Sequence, residues 1–375
     1  MTAAVLDGIG EPLRIRQVDV AAPGPGEVLV RVGATGICHS DLTAVEIGFG
    51  EPLPLIPGHE VAGEVVELGA GVQGLAEGDH VVVCEVSSCG YCPECRRGRP
   101  QLCRTNALHH GPGAAPSMHI SFDGQPVHRM AGVGGFAEYV LVDSSVLARI
   151  PKDVPFDRAA VLGCAVATGA GAAINTAGVR VGDTVAVIGC GGVGLNTIQG
   201  ARLAGAREII AIDVVPSKLE MAKRFGATAV IDASSADVVA EVRALTDGLG
   251  VTYAFDVAGH GATERQAYDL VARGGTCLLV GIPRPGTRFE LDVLGDMFDL
   301  NRVEVAVRPV FMGSTNVIND IPLYAELYRQ GRWNLDDLVA HRLGIVDIED
   351  GFERLRRGDL ARAVITEFSP VAAAV

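Results

Sequence analysis

Along the first 165 residues, short apolar runs alternate with Gly, Pro and Asp punctuation. Stretches 27–32, 63–68, 79–83 and 136–142 read as strands of a β-rich lobe. Residues 104–135 have no periodicity and predict a long surface loop. The texture changes near Cys164. From Thr184 onward, β-branched runs at 184–188, 208–212, 229–231, 252–256, 276–280 and 303–307 alternate with helical stretches. That alternation predicts right-handed βαβ units and a parallel sheet covered on both faces. Residues 309–375 continue no such repeat and are expected to return to the first lobe. The expected class is α/β, with a β-rich domain over 1–165, a doubly wound sheet over 166–308 and a C-terminal return over 309–375.

Composition narrows the chemistry. The 375 residues carry a net charge of −14, which disfavours nucleic acid or an anionic membrane as partner. No apolar run has the length of a membrane span, and the start lacks a basic region followed by a long apolar one. Nine cysteines, an odd number, then point to free thiols in a reducing cytoplasm.

Four of those thiols, Cys89, Cys92, Cys95 and Cys103, fall within fifteen positions. Thiolates are soft ligands, and four in one lobe can close a tetrahedral site around Zn²⁺. Ferredoxin-type spacing places the last cysteine after three residues, whereas seven intervene here, so a structural zinc lobe over 89–103 is expected. A second motif follows the 184–188 strand: Gly189-Cys-Gly191-Gly192-Val193-Gly194, then a helical stretch and Asp213 at the end of the next strand. Glycines there allow a tight turn and close approach of a pyrophosphate to the helix N-terminus. Asp213 suits the adenosine ribose hydroxyls and repels a 2′-phosphate, so NAD is expected over NADP.

Three further donors lie far apart: Cys38 in Cys38-His39-Ser40-Asp41, His59 in Gly58-His59-Glu60, and Cys164 after Gly163. Spacing alone does not join them, since a lone cysteine is ordinarily a buried apolar residue. The order Cys-His-Ser-Asp, Gly-His-Glu, four-cysteine lobe, Gly-Cys and G-x-G-x-x-G resembles the zinc-dependent medium-chain alcohol dehydrogenases over essentially the whole chain. The resemblance implies a GroES-like catalytic domain interrupted by a Rossmann domain, and two zinc ions per subunit. It implies Cys38, His59 and Cys164 as catalytic zinc ligands, with Asp41 orienting His59 and Glu60 behind the metal. It puts His39 and Arg362 on the cofactor phosphates, Lys218 near the ribose, and Thr168, Val193 and Ile282 beside the nicotinamide. Relatives that retain a loop like 104–135 are commonly dimers, so a homodimer is expected.

The implied reaction passes a hydride between a small alcohol and NAD, giving an aldehyde or ketone, with Ser40 taking the hydroxyl proton toward the ribose. Two positions depart from the family pattern. Where many members finish the proton relay with histidine, this chain has Thr43, which is no general base near neutral pH. Where relatives often place an aromatic pocket residue, it has Glu85, which either faces the pocket or points to solvent. His109, His110, His119 and His128 are read as loop residues, not a third metal site. Alternatives are an enzyme that keeps its cofactor bound, a thiol-adduct formaldehyde dehydrogenase, or a catalytically silent zinc and NAD binder.

Overall fold

The computed structural model describes residues 1–105, 119–288, 290–291, 299, 302–358 and 361–369. The chain forms two compact units, Met1–Cys164 with Asn316–Val375, and Ala165–Thr315.

The first unit is built on β1 (Glu27–Ile37), β2 (Glu60–Leu68) and β3 (His80–Val83). In β1, Val28, Val30 and Val32 alternate inward, the period a half-buried strand requires. The three pair antiparallel, within a sheet running in the order Leu147–Arg149, β3, β2, β1, Arg362–Glu367, Val339–Gly344, with Tyr139–Asp143 also paired to β1. Val30, Val61, Val81, Phe136, Val140, Phe352 and Ile365 share one core, so the C-terminal segment is packed into this unit.

The second unit carries a six-stranded sheet in the order Ala229–Asp232, Glu208–Asp213, Thr184–Ile188, Val251–Asp256, Val271–Leu279, Ala306–Pro309, all parallel. Such a sheet buries both faces, and Thr184–Ile188 is buried at every position. Two differences from the sequence expectation have local causes. The last strand begins at Ala306 and not near 303, because Glu304 has φ of 58°, a left-handed conformation that no extended strand contains. The 104–135 stretch is not one loop: Ile120–Phe122 and Gln125–Pro126 form a hairpin and His128–Arg129 pairs with Leu55–Ile56, while His109 and His110 lie outside the described residues. His119 lies beside that hairpin, with Nε2 3.1 Å from Glu27 and Nδ1 3.0 Å from Arg129. No single helix among the described residues is long and apolar enough to cross a membrane.

Candidate active site

Helix α1 (His39–Glu46) follows β1 directly, with Cys38 as its N-cap residue. Asp41, fully buried at the third helical position, turns back to accept the Cys38 backbone N–H at 2.8 Å. Its other oxygen accepts Gly58 N–H at 3.1 Å and faces His59 Nδ1 at 2.8 Å. With Nδ1 donating to Asp41, His59 keeps Nε2 as a lone-pair donor for a metal. Gly58 makes the turn at φ of 94°, where a Cβ would lie 2.6 Å from the Phe136 amide nitrogen, so only glycine brings His59 to this point.

Cys164 arrives by a helical turn, Ala160–Gly163, laid against β3. A Cβ on Gly163 would sit 2.1 Å from the Val83 carbonyl oxygen. The chain thereby brings together Cys38, His59, Glu60 and Cys164, all buried, with ligand atoms within 4.8 Å of one another. Two thiols and an imidazole are the donor set of a zinc site that leaves a coordination position free, so these residues fit the metal. The thiols divide their acidity. A hydrogen bond from Cys164, opposed by burial and helped by the charge of Arg362, holds Cys38 well below its ordinary value, and Cys164 rises well above it. Burial works against charge on His59, but Asp41 and Glu85 outweigh it and raise its affinity for a proton.

Arg362 takes partners the sequence reading did not anticipate. The strand Arg362–Glu367 pairs antiparallel with β1, Ala363 opposite Ile37, which sets Arg362 beside Cys38. Its guanidinium is 3.5 Å from Cys38 Sγ and 3.1 Å from Glu60 Oε1, and the residue is 2% exposed. It therefore lies behind the metal ligands, a placement that follows from strand register, which spacing in sequence does not reveal. Burial pushes the Glu60 carboxyl up to about 7 against the pull of Arg362, and Glu60 Oε2 has no hydrogen-bond partner among the described residues.

The other predicted residues of α1 sit around this cluster. Ser40 is half-buried with Oγ 3.8 Å from Cys38 Sγ. His39 is exposed in the first turn, and Thr43 donates its hydroxyl to the His39 carbonyl at 2.9 Å. Glu85 follows β3, half-buried, and its carboxyl is raised by burial, with His59 opposing.

In the cysteine lobe, the sulfurs of Cys89, Cys92, Cys95 and Cys103 also lie within 4.8 Å of one another. All nine cysteines are free. Backbone N–H groups of Cys89 and Cys92 point at the sulfurs of Cys103 and Cys89, each at 3.3 Å. Backbone donors lower the Cys92 thiol to about 6, while burial pushes Cys95 up to about 12. Four thiols with converging N–H donors and no competing ligand type fit a closed zinc site.

In the second unit, Gly189 turns at φ of 95° between the Thr184–Ile188 strand and helix α2 (Gly192–Ala204). A Cβ on Gly194 would lie 1.8 Å from the Gly189 carbonyl, whereas one on Gly191 would meet nothing within 4 Å. The turn thus leaves a cradle over the α2 N-terminus, where backbone N–H groups and the helix dipole suit a pyrophosphate. Asp213 ends the adjacent strand, one oxygen accepting Cys190 N–H at 2.7 Å and the other Val215 N–H at 3.0 Å, with Lys218 half-buried beyond it. Val193 lies in the first turn of α2, Thr168 is buried on the Ala165–Gly171 helix with its hydroxyl toward Met312 Sδ at 3.6 Å, and Ile282 is exposed after the Val271–Leu279 strand.

Comparison with known proteins covers both units. Residues 24–152 match the family described as alcohol dehydrogenase GroES-like domain, and residues 192–329 match zinc-binding dehydrogenase. The chain is 35% identical over 374 residues to S-(hydroxymethyl)glutathione dehydrogenase of Paracoccus denitrificans, covering 97% of this chain and 98% of that one. It is 36% identical over 375 residues to alcohol dehydrogenase class-3 of Cereibacter sphaeroides, with the same coverage. Among solved structures it resembles benzyl alcohol dehydrogenase from Acinetobacter calcoaceticus, with a TM-score of 0.90, 33% identity and coverage of 98% and 99%.

Proposed function

The chain belongs to the zinc-dependent medium-chain alcohol dehydrogenase family, and from that premise we propose how its residues carry the reaction. The activity is hydride transfer between an alcohol and NAD, giving an aldehyde or ketone, with one catalytic and one structural zinc ion. When bound, the catalytic zinc acidifies an alcohol hydroxyl or polarises a carbonyl, and the nicotinamide takes or gives the hydride. Cys38, His59 and Cys164 hold that metal, and Asp41 fixes the His59 ring for it. With the cofactor bound, Ser40 Oγ would take up the substrate's hydroxyl proton as it gives up its own toward the ribose side of the site. Thr43 continues that path as a hydroxyl bridge to water. Gly189, Gly191, Gly192 and Gly194 take the pyrophosphate, His39 supplies a positive edge to it, Asp213 and Lys218 hold the adenosine ribose, and Thr168, Val193 and Ile282 flank the nicotinamide.

The observation that carries this reading is the convergence of Cys38, His59 and Cys164 with an Asp41-oriented imidazole. We assign the first unit as the catalytic domain and the second as the NAD domain. A homodimer and a cytoplasmic location complete the proposal, supported by the exposed edge strand Ala306–Pro309 and by nine free thiols. The test combines metal analysis with an NADH-forming assay on a panel of alcohols. Two zinc ions per chain and turnover with NAD far above NADP are expected. Turnover of no alcohol or aldehyde by fully zinc-loaded protein would refute the reading, and light scattering decides the dimer.

A further inference from the structure

Glu60 has Arg362 as its partner, and among the described residues Glu85 is the acid near this site with neither a partner nor a part in the mechanism above. Its place just past the end of β3 brings it near His59. In the β2–β3 ladder, Val61 faces Val83 and Gly63 faces Val81, each step moving one residue up one strand and down the other. The ladder ends at Val61 and Val83, and extending its antiparallel count by two residues brings the chain at Glu85 alongside His59. The Cys84 N–H still bonds the Val146 carbonyl at 2.9 Å, so the backbone remains sheet-like on the way. The carboxylate is felt electrostatically by His59, Cys38, Asp41 and Cys164, as a group beside the metal cluster must be.

Its charge is not answered by the protein. Among the described residues no side chain or backbone group hydrogen-bonds it and no cation pairs with it, and Glu51 adds a second negative charge nearby. With zinc bound, the metal's charge is matched by the Cys38 and Cys164 thiolates, and Glu60 by Arg362. Asp41 already accepts from three N–H groups. Glu85 is left as a half-buried acceptor beside the reacting position, hydrated until a group with donors of its own takes the place of that water.

We propose that Glu85 selects the substrate, favouring alcohols and aldehydes whose non-reacting end carries an ammonium group, and discriminating against anionic ones. The proposal rests on the alcohol dehydrogenase reading and deepens it. Zinc holds the oxygen end, and Glu85 takes the far end through charge-assisted N–H···O bonds. The same carboxylate repels substrates of net negative charge, such as S-(hydroxymethyl)glutathione, whose two carboxylates outnumber its one ammonium.

The test uses zinc-loaded protein and the variants Glu85→Gln and Glu85→Leu, with zinc content and circular dichroism checked against the native chain. First, kcat/KM is measured with NAD for a series of ω-amino alcohols against straight-chain alkanols of equal length. The native enzyme should prefer the amino member of at least one pair, and both variants should lose about 10- to 100-fold of that preference, with the alkanol rate maintained or raised. S-(hydroxymethyl)glutathione should be a poor substrate for the native enzyme and better for Glu85→Gln. Second, calorimetry compares histamine with 4-propylimidazole, two imidazoles that differ at the tail, and the native preference for histamine should fall about tenfold or more in Glu85→Gln. If neither ratio moves in either variant, Glu85 does not face the substrate and the proposal fails. If no alcohol is oxidised by the native protein, the dehydrogenase reading fails instead, and the imidazole pair still decides Glu85.

Discussion

Replacing Arg362 by Met isolates the ion pair behind the metal ligands. The guanidinium lies 3.1 Å from Glu60 Oε1, and the two residues are 2% and 0% exposed. At an effective dielectric of about 20, that separation is worth roughly 5 kcal/mol of attraction. Desolvation of the two ions costs several kcal/mol each, so the pair as a whole is close to neutral relative to an apolar pair of similar size. Removing one partner is a different matter. Glu60, whose carboxyl burial already pushes up to about 7, then loses the cation opposing that rise and must take up a proton or stay charged without a partner, and the expected loss is about 3–5 kcal/mol. The companion variant Glu60→Gln with Arg362→Met removes both charges and should recover at least about 2 kcal/mol of that loss. Denaturant unfolding of zinc-loaded protein, followed by two probes to check that one transition is being read, measures both. Zinc content should drop in Arg362→Met as well, because its contact with Cys38 Sγ at 3.5 Å favours the thiolate. A single-variant loss below about 1 kcal/mol, or losses that simply add in the double variant, would show that this pair is not what holds Glu60 in place.

Three further outcomes follow from the site and its surroundings. Ser40→Ala should lower kcat for alcohol oxidation by about 10²–10⁴-fold with zinc content unchanged, and near-normal turnover would mean that water alone carries the proton. Cys95→Ser should cut zinc from two ions per chain to one and destabilise the fold by more than about 2 kcal/mol, read by metal analysis and denaturant unfolding; retention of both ions would contradict a four-thiolate lobe. His80 packs on Phe156 at 4.4 Å with Nδ1 unpartnered, and burial, with the charge of Lys152, holds its pKa below the ordinary imidazole value. The folded state thus prefers neutral His80, a contribution complete above about pH 6.5 and lost as pH falls through the lowered folded value. His80→Phe should therefore flatten the fall of Tm between pH 7 and pH 5, and parallel curves for the two proteins would remove His80 from the account.

The parts legible in the sequence are those whose chemistry is local. The Cys89–Cys103 spacing and the Gly189–Gly194 turn each hold their meaning within a few residues, so residue type and interval suffice. The expected strands at 184–188 and 208–212 likewise reappear as Thr184–Ile188 and Glu208–Asp213. Cys38, His59 and Cys164 needed a resemblance to be joined, because only folded register makes neighbours of residues so far apart. Arg362 has contacts that this route did not supply. Its place beside Cys38 and Glu60 comes from pairing with β1, which no local pattern in 361–369 announces. The hairpin at Ile120–Phe122 was hidden for another reason: its strands are too short to show a period, and Gly124 and Asp123, both at positive φ, make it look like loop.

The two metal-binding groups differ in how much chain each must wait for. The thiols of the cysteine lobe are separated by at most fourteen positions, so a nascent chain made N-terminus first can capture zinc there before most of its sheet exists. The ligands of the other group run from Cys38 to Cys164, and the arginine that stabilises the Cys38 thiolate comes 324 residues after it. Closing so long a loop comes late in folding. Biosynthesis should therefore load the ions in sequence, the structural ion during translation and the catalytic ion after the last strand has docked. A cell short of zinc would then accumulate folded, half-metallated and inactive protein, and not unfolded chain.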